Sequence, residues 1–423
     1  MTSNRNMVSL INIKELFTPN MSNNLVNKTK GDRVIWGIVV ILVLISLLVV
    51  YSSTGSLAYK YSKSTESYLF KQFGFIILGV LLIYFAHRVN YTFYARVAKI
   101  LYLVSIPLMI YTLLFGAKIN EGSRWIKLPI INMTFQTSDM AKLALFMYLS
   151  LQLSRKQNVI KDFKKGFLPI VIPVVIICAL IAPANLSTAL LVGATSFMLM
   201  FIGRVNTKHL LMSVGIAMVP VLLLFTLAIG TYDKAAHKSK DLPAIFAIGR
   251  VPTWIGRIQT FVYSNKEDES EKLYQINQAK IAIANGGWLG KGPGNSEARN
   301  FLPHSYSDFI YAIIIEEYGL FGAAFMIFIY LLFLYRCIRL YRKCPFAFGA
   351  FLALALSFTL VIQAIANMGV AVNAFPNTGV TLPLVSMGGS SFLFTCLSIG
   401  IILSVARNVE QLEGKTKLTE VNE

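Results

Sequence analysis

The sequence predicts an all-α polytopic membrane protein with about ten transmembrane helices. Hydrophobic residues make up 55% of the 423 residues and charged residues only 14%, and the mean hydropathy is +0.61. A hydrocarbon core of roughly 30 Å requires about 20 apolar residues per helix, and apolar runs of that kind recur along the chain. This composition excludes an ordinary soluble globular domain.

The apolar runs divide the chain into spans that are joined mostly by short polar loops. The first run, 34–53, contains no charged residue. The weakest run, 140–153, is short and carries Lys142, so we interpret it either as a span or as a re-entrant segment. The other predicted spans are 69–86, 98–116, 167–182, 189–203, 209–230, 309–335, 348–372 and 386–405.

Basic residues are concentrated in alternate connecting segments. The formal net charge is +19, yet short segments such as 155–165 hold much of the positive charge, which indicates membrane topology rather than a surface for nucleic acid. Placing the basic segments in the cytoplasm puts both termini inside. The predicted organisation is a cytoplasmic tail at 1–33, a transmembrane domain at 34–405 and a cytoplasmic tail at 406–423.

One connection, between the seventh and eighth predicted helices, is a large extracytoplasmic loop at 231–307. Mixed charges in its first part predict a mobile surface. A glycine cluster at 286–294 predicts either ordinary turns or a backbone cradle for phosphate. Arg250, Arg257 and Lys291 add positive charge, which fits either an anionic ligand or a solvated surface.

Asp308 stands where this loop enters the apolar run 309–335, and Ser307 before it is the predicted N-cap. A helix N-terminus favours an ionised carboxylate. At the level of the lipid headgroups, such a carboxylate fits a general base that takes a proton from a substrate hydroxyl. The alternative is an aspartate that only begins a helix.

Two further carboxylates, Glu316 and Glu317, follow Asp308 in the same apolar run. At about 1.5 Å per residue they lie roughly 12 to 13 Å further along the helix. Charge at such a depth needs a partner, and we predict Lys142, with Asp139 one helical turn before it. The group is either an ion pair that fixes helix packing or part of a functional site.

A second outside segment contains Arg124 and Trp125. Arg binds phosphate groups in a bidentate manner, so this pair fits a phosphate-bearing headgroup. Trp is also enriched at membrane surfaces in general, and an interfacial anchor is the alternative interpretation.

Together these motifs closely resemble the SEDS family (shape, elongation, division and sporulation) over 34–407. The triplet at 294–296 is similar to the division branch rather than the elongation branch. The chain departs from the usual family pattern around Asp308, where it reads PHSYSDF, and it has Asp139 and Met387 in place of a glutamate and a tyrosine. The matching motifs are GSRWIKL (122–128), FQTSDMAK (135–142), PANLSTAL (183–190), QAKIAIANGGWLGKGPGNS (278–296), FLPHSYSDFIYAIIIEEYGLFG (301–322) and PNTGVTLPLVSMGGSS (376–391).

The resemblance implies a peptidoglycan glycosyltransferase that polymerises lipid II during cell division, in the bacterial cytoplasmic (inner) membrane at the septum. It implies Asp308 as the general base and a divalent cation, magnesium or manganese, as cofactor, with no organic cofactor. It also implies a class B penicillin-binding protein and other division-complex membrane proteins as partners, and no nucleic acid. The substrate-binding candidates are Arg124, Trp125, Lys142, Arg250, Arg257, Lys291, Asn295, Ser296 and Ser390, and the intramembrane candidates are Asp139, Glu316 and Glu317.

Two other functions fit the same residues. A lipid II flippase would use polar side chains within the spans, such as Asn185 and Lys142, to line a route through the membrane. A non-catalytic scaffold would only assemble division proteins. The clustering of the unusual residues near the outer face favours the enzyme over the transporter.

Overall fold

The computed structural model describes residues 31–54, 65–119, 122–128, 133–233, 238–239, 250–263, 271–302 and 305–422. Twelve α-helices form most of this part of the chain. They are α1 (Arg33–Ser53), α2 (Thr65–Arg88), α3 (Tyr91–Phe115), α4 (Thr137–Arg155), α5 (Leu168–Ile181), α6 (Leu186–Ile202), α7 (Thr207–Gly230), α8 (Val251–Val262), α9 (Glu271–Gly286), α10 (Ile310–Lys343), α11 (Ala347–Ala371) and α12 (Ser390–Asn422).

Eight helical segments in the described residues are long and apolar enough to cross a membrane, which confirms the prediction of a polytopic helical protein. They are α1, α2, α3, α5 with the π-helical turn before it, α7, α10, α11 and most of α12. The two remaining predicted spans correspond to α4 and α6. Helix α6 is apolar but has only 17 residues, and α4 has 19 residues with a more polar composition.

Helices α4 and α11 form the centre of the bundle. Helix α11 packs against α4, α6, α10 and α12, and α4 also packs against α3 and α5. Most side chains of α4 are therefore buried against protein, including Asp139 and Ser150. A helix surrounded by other helices is able to carry polar residues that a lipid-facing helix would not tolerate, which explains the weak apolar signal of the run 140–153.

Helix α7 lies at the periphery. Only Leu210 and Ala228 are buried along its length, and its packing is against α6 and α8. Its apolar character on every side is typical of a helix that faces lipid.

Helix α10 is interrupted at Gly319, which has φ 67° and ψ −167°. A Cβ atom at Gly319 would lie 2.2 Å from the carbonyl oxygen of Trp288, and one at Gly290 would lie 2.2 Å from that of Glu317. The amide of Lys291 donates to the carbonyl of Glu316 at 2.9 Å. The glycine cluster thus forms turns that pack closely against the kink of α10. The amide of Lys291 donates its hydrogen bond within this packing and is not free to bind a phosphate.

The predicted loop 231–307 has more regular structure than expected. The first part, for which a mobile surface was predicted, contains helix α8 and a short antiparallel pair, β4 (Tyr232–Asp233) with β5 (Lys238–Ser239), and helix α9 follows. The mixed-charge residues 264–270 lie outside the described residues. Helix α8 was missed because its apolar residues form no continuous run, although Val251, Trp254, Ile255, Ile258 and Val262 recur at helical spacing.

A three-stranded antiparallel sheet between α3 and α4 was also not predicted. Its strands are β1 (Ala117–Ile119), β2 (Gly122–Leu128) and β3 (Met133–Gln136), with β2 in the middle. Strands this short give almost no alternating pattern in the sequence. The sheet carries Arg124 and Trp125 and leads directly into α4.

The structure describes most of the predicted C-terminal tail but little of the predicted N-terminal tail. Residues 1–30 of the N-terminal tail lie outside the described residues. Helix α12 continues to Asn422, past the predicted end of the last span at 405. Near this end Glu410 accepts a hydrogen bond from the amide of Gly31 at 2.7 Å, so the segments that flank the first and last spans lie side by side.

Candidate functional site

A cavity of about 830 Å³ brings together many of the residues that the sequence singled out. Its wall is formed by the three-stranded sheet, by helices α2, α4, α6, α8 and α11, by the turn before α10 and by the connection between α11 and α12. The predicted site residues that line it are Arg124, Trp125, Asp139, Lys142, Arg257, Asp308 and Ser390.

Asp308 lies in a turn at 305–309, just before α10. The predicted N-cap at Ser307 is wrong: α10 begins at Ile310, and Phe309 occupies the N-cap position with no side-chain hydrogen bond. The carbonyl of Ser307 instead accepts a hydrogen bond from Ser386 Oγ at 2.7 Å. Tertiary hydrogen bonds, rather than helix capping, therefore fix this turn, and Asp308 faces the cavity.

The backbone of Gly379 approaches the Asp308 carboxylate. A Cβ atom at Gly379 would lie 3.6 Å from Asp308 Oδ2, and Gly379 has a φ of +64°, a conformation that favours glycine. The absence of a side chain at this position leaves space beside the carboxylate.

Three arginines surround one end of the cavity. The carbonyl oxygen of Ala184 accepts hydrogen bonds from Arg124 Nε, at 2.7 Å, and from Arg250. Burial, together with the charges of Arg250 and Arg257, lowers the pKa of Arg124 to about 10, and the Asp308 carboxylate acts in the opposite direction. Arg124 is thus still positively charged at pH 7, in a group of cations that repel one another.

The overall charge of the cavity wall favours an anionic ligand. Four basic side chains line it, against two carboxylates, and Arg250 stands behind the wall beside Arg124. Guanidinium groups bind phosphate oxygens in a bidentate manner. The basic residues of the wall are Lys71, Arg124, Lys142 and Arg257, and the carboxylates are Asp139 and Asp308.

Lys142 pairs with Asp139, at 2.7 Å between Nζ and Oδ1. The prediction that Lys142 pairs with Glu316 or Glu317 is therefore wrong, because a partner one turn away on the same helix satisfies the charge. Asp139 Oδ2 is buried and has no hydrogen-bond partner in the described residues. Asp139 lines the cavity, but this oxygen is itself shielded from solvent.

Glu316 forms a second, separate cluster and does not line the cavity. It is fully buried, and its carboxylate accepts hydrogen bonds from Ser296 Oγ and from the amides of Glu297 and Ala298, both at 3.2 Å. Lys291 Nζ is 3.7 Å from Glu316 Oε1. The cluster holds the segment after the glycine turns against α10.

The remaining candidates belong to the same second cluster. Glu317 is 1% exposed and accepts a hydrogen bond from Ser52 Oγ at the end of α1. Asn295 Nδ2 donates to the carbonyl of Lys291 at 3.0 Å. Lys291, Asn295 and Ser296 are thus brought together with the two glutamates, away from the cavity that contains Asp308.

Acidic and metal-binding side chains are sparse in the cavity. In the described residues no group of three or more His, Cys, Asp and Glu side chains is arranged to hold a metal ion. Magnesium is often held by one or two carboxylates together with substrate phosphates. The two carboxylates that line the cavity, Asp139 and Asp308, would therefore hold such an ion only together with the phosphates of a ligand.

Several cavity residues were missed in the sequence. Lys71 lies inside the predicted span 69–86, and an ionisable residue within an apolar run is a signal for a functional position. The others have ordinary polar side chains, on helices, on β3, in the turn before α10 or in the connection after α11, and give no such signal. These further residues include Tyr68, Gln136, Thr188, Tyr306, Gln363 and Thr381.

Comparison with known proteins shows the family to which the chain belongs. The family model described as cell cycle protein, for FtsW, RodA and SpoVE, matches residues 32–411. A probable peptidoglycan glycosyltransferase FtsW of Trichlorobacter lovleyi is 30% identical over 90% of this chain and 94% of its own length. Stage V sporulation protein E of Bacillus subtilis is 29% identical over 90% of this chain and 98% of its own.

Solved structures share the fold. One is a chain of a peptidoglycan synthase complex, whose structure was described for the coordination of polymerization and crosslinking. It has a TM-score of 0.69 at 23% identity, covering 90% of this chain and 99% of that one. The rod shape determining protein RodA of Thermus thermophilus has a TM-score of 0.60 at 23% identity, covering 89% and 97%. This chain therefore belongs to the SEDS family, the cell cycle proteins that include FtsW, RodA and SpoVE.

Proposed function

We propose that this chain is a peptidoglycan glycosyltransferase that polymerises lipid II into glycan strands during cell division. One observation carries the proposal: the Asp308 carboxylate and a group of arginines face the same cavity of about 830 Å³. The relatives of this chain that are named probable peptidoglycan glycosyltransferases support the class of reaction. The family and the helical fold support its place in the membrane.

Asp308 is the proposed general base. A sugar hydroxyl of the acceptor gives its proton to the Asp308 carboxylate while its oxygen forms a bond to the anomeric carbon of the growing glycan. The fixed turn at 305–309 and the open space beside Gly379 support this role, because a base must lie within hydrogen-bond reach of the hydroxyl.

The arginines are the proposed site of the leaving group. The bond between the anomeric carbon and the polyprenyl pyrophosphate breaks, and its electron pair goes to the pyrophosphate. Arg124 and Arg257 stabilise the negative charge that develops there, and Arg250 orients Arg124 through the shared Ala184 carbonyl. Lys142 and Asp139 are placed to bind polar groups of the sugar.

A divalent cation fits this scheme as a second source of positive charge. Asp308 and the pyrophosphate oxygens are the groups that would hold magnesium or manganese, and Asp139 is the other carboxylate that lines the cavity. When bound, the cation would neutralise charge on the leaving group.

A class B penicillin-binding protein is the proposed partner, with other division-complex membrane proteins at the septum of the bacterial cytoplasmic membrane. The structural neighbour from a peptidoglycan synthase complex supports a partner of this kind. The charge distribution of the sequence supports the orientation with both termini in the cytoplasm.

The purified protein is expected to polymerise lipid II, supplied with magnesium or manganese and the cognate penicillin-binding protein. The measurement is glycan chain length on a gel, with a partner inactivated in crosslinking so that only polymerisation is scored. In parallel, lipid II translocation is measured in vesicles. Polymer formation supports the enzyme. Translocation without polymer would support the flippase, and neither activity beside an active control polymerase would support the scaffold.

A further inference from the structure

Two irregular backbone segments meet beside the cavity, the turn 305–309 and the connection 379–389. The second segment is deeply buried, with Val385 fully shielded from solvent. Irregular backbone in a membrane-embedded bundle requires hydrogen-bond partners from neighbouring protein. Side chains of the helices supply them, as when Ser46 Oγ donates to the carbonyl of Val385 at 2.9 Å.

One side chain joins the two segments. Asn367 Nδ2, on α11, donates to the carbonyl of Asp308 at 3.0 Å and to the carbonyl of Val380 at 2.7 Å. Asn367 is 1% exposed and is not part of the cavity wall. Because both neighbours are acceptors, only the NH₂ group of the amide is able to face them.

The anchoring of the turn is continuous. Three consecutive carbonyls, those of residues 306–308, accept hydrogen bonds from Met387 N at 3.0 Å, Ser386 Oγ at 2.7 Å and Asn367 Nδ2 at 3.0 Å. All three donors belong to α11 or to the connection that follows it. The Asp308 backbone is thus held by hydrogen bonds from α11 and from the connection that follows it.

We propose that Asn367 is a positioning residue for Asp308: its amide crosslinks the turn of the general base to the buried connection 379–389 and so holds the carboxylate at the working distance from the acceptor hydroxyl. The proposal rests on the proposed glycosyltransferase function. A displacement of about 1 Å at a reacting group can cost about 100-fold in rate, so a residue that touches no substrate is able to control the chemical step.

Asn367→Leu removes both hydrogen bonds with little change in side-chain volume. We expect kcat for lipid II polymerisation to fall about 10- to 100-fold, with KM changed less than about twofold, because Asn367 does not line the cavity. Ser386→Ala, which removes the bond to the Ser307 carbonyl, is a milder second variant and is expected to lower kcat in the same way. Rates are compared per amount of folded protein, determined by monodisperse elution in detergent.

The matched control is Ser357→Ala, which also removes a buried polar group from α11. Ser357 Oγ donates to the carbonyl of Leu354 on its own helix at 2.9 Å and lies about 15 Å from Asn367 along the axis. The kcat of the Ser357→Ala protein is expected to equal that of the native protein. A combination of Asn367→Leu with Asp308→Asn is expected to be no slower than Asp308→Asn alone, since Asn367 acts through Asp308.

Hydrogen exchange of the peptide covering 305–309 gives a readout that needs no activity. Asn367→Leu is expected to accelerate exchange there, whereas Ser357→Ala leaves it unchanged. Unchanged exchange in Asn367→Leu, a rise in KM alone, or full specific activity of its folded fraction would each overturn the proposal. If the native protein makes no polymer, the glycosyltransferase function fails, while the exchange result still decides whether Asn367 anchors the turn.

Discussion

Asp308→Asn is expected to lower the rate of glycan polymerisation by about 10²- to 10⁴-fold, the usual contribution of a positioned general base. The amide keeps the shape of the side chain but cannot accept a proton from the acceptor hydroxyl. The three hydrogen bonds to the backbone carbonyls of 306–308 do not involve the carboxylate, so the folded turn is expected to persist. The measurement is the initial rate of polymer formation from lipid II.

The matched control is Glu297→Gln, which neutralises a carboxylate outside the cavity. Glu297 is 73% exposed in its side chain and pairs with Lys291 at 3.2 Å. Glu297→Gln is expected to leave the rate within about twofold of the native value, because Glu297 does not line the cavity. The fold is also expected to persist, since exposed ion pairs contribute little to stability. Equal rates for Asp308→Asn and the native protein would remove Asp308 from the chemistry.

Arg124→Gln is expected to reduce polymerisation by about 10²- to 10³-fold, the usual effect of losing one group that stabilises developing charge. It is also expected to leave the melting temperature of the substrate-free protein unchanged or to raise it. The fold lowers the pKa of Arg124 from 12.5 to about 10, which means that burial and the neighbouring arginines destabilise its charged form. At pH 7 that cost is fully present, and neutralising residue 124 removes it.

The control for the arginine is Arg155→Gln at the opposite end of α4, where Arg155 is exposed. It is expected to change neither the rate nor the melting temperature. A large drop in melting temperature for Arg124→Gln, with polymerisation lost in proportion to folded protein, would show that Arg124 serves the fold and not the leaving group. Arg124→Lys, which keeps the charge but loses the bidentate geometry, is expected to give an intermediate rate.

Much of the helical architecture is readable in the sequence because a lipid-facing helix must be apolar along its whole length. Helices α1 and α7 were predicted in this way, from the apolar runs 34–53 and 209–230. This rule fails in part for α4, because a helix enclosed by other helices need not be apolar, and Asp139 and Lys142 satisfy each other there. It fails for α8, whose apolar residues recur at helical spacing but form no continuous run, and for the three-stranded sheet, whose strands are too short for a periodic signal.

The candidate site was predictable only where residues are chemically unusual. Lys142 drew attention because charge within an apolar run is costly, Arg124 because arginine binds phosphate, and Asp308 because it stands at the start of an apolar run. The fold brings all three to one cavity. Glu316 drew attention for the same reason as Lys142 but serves the packing of the loop against α10. Asn367 gave no distinctive signal, because the same apolar run also contains Gln363, and its role depends on a contact with Asp308, which is distant in sequence.

The most direct test of the cavity as the reaction centre is a structure of the Asp308→Asn protein with lipid II bound. The pyrophosphate is expected within about 4 Å of the guanidinium groups of Arg124 and Arg257, and a sugar hydroxyl within about 3.2 Å of the side chain at position 308. Lipid II bound elsewhere, for example beside Lys291 and Glu316 with no contact to residue 308, would contradict the assignment of this cavity as the catalytic centre.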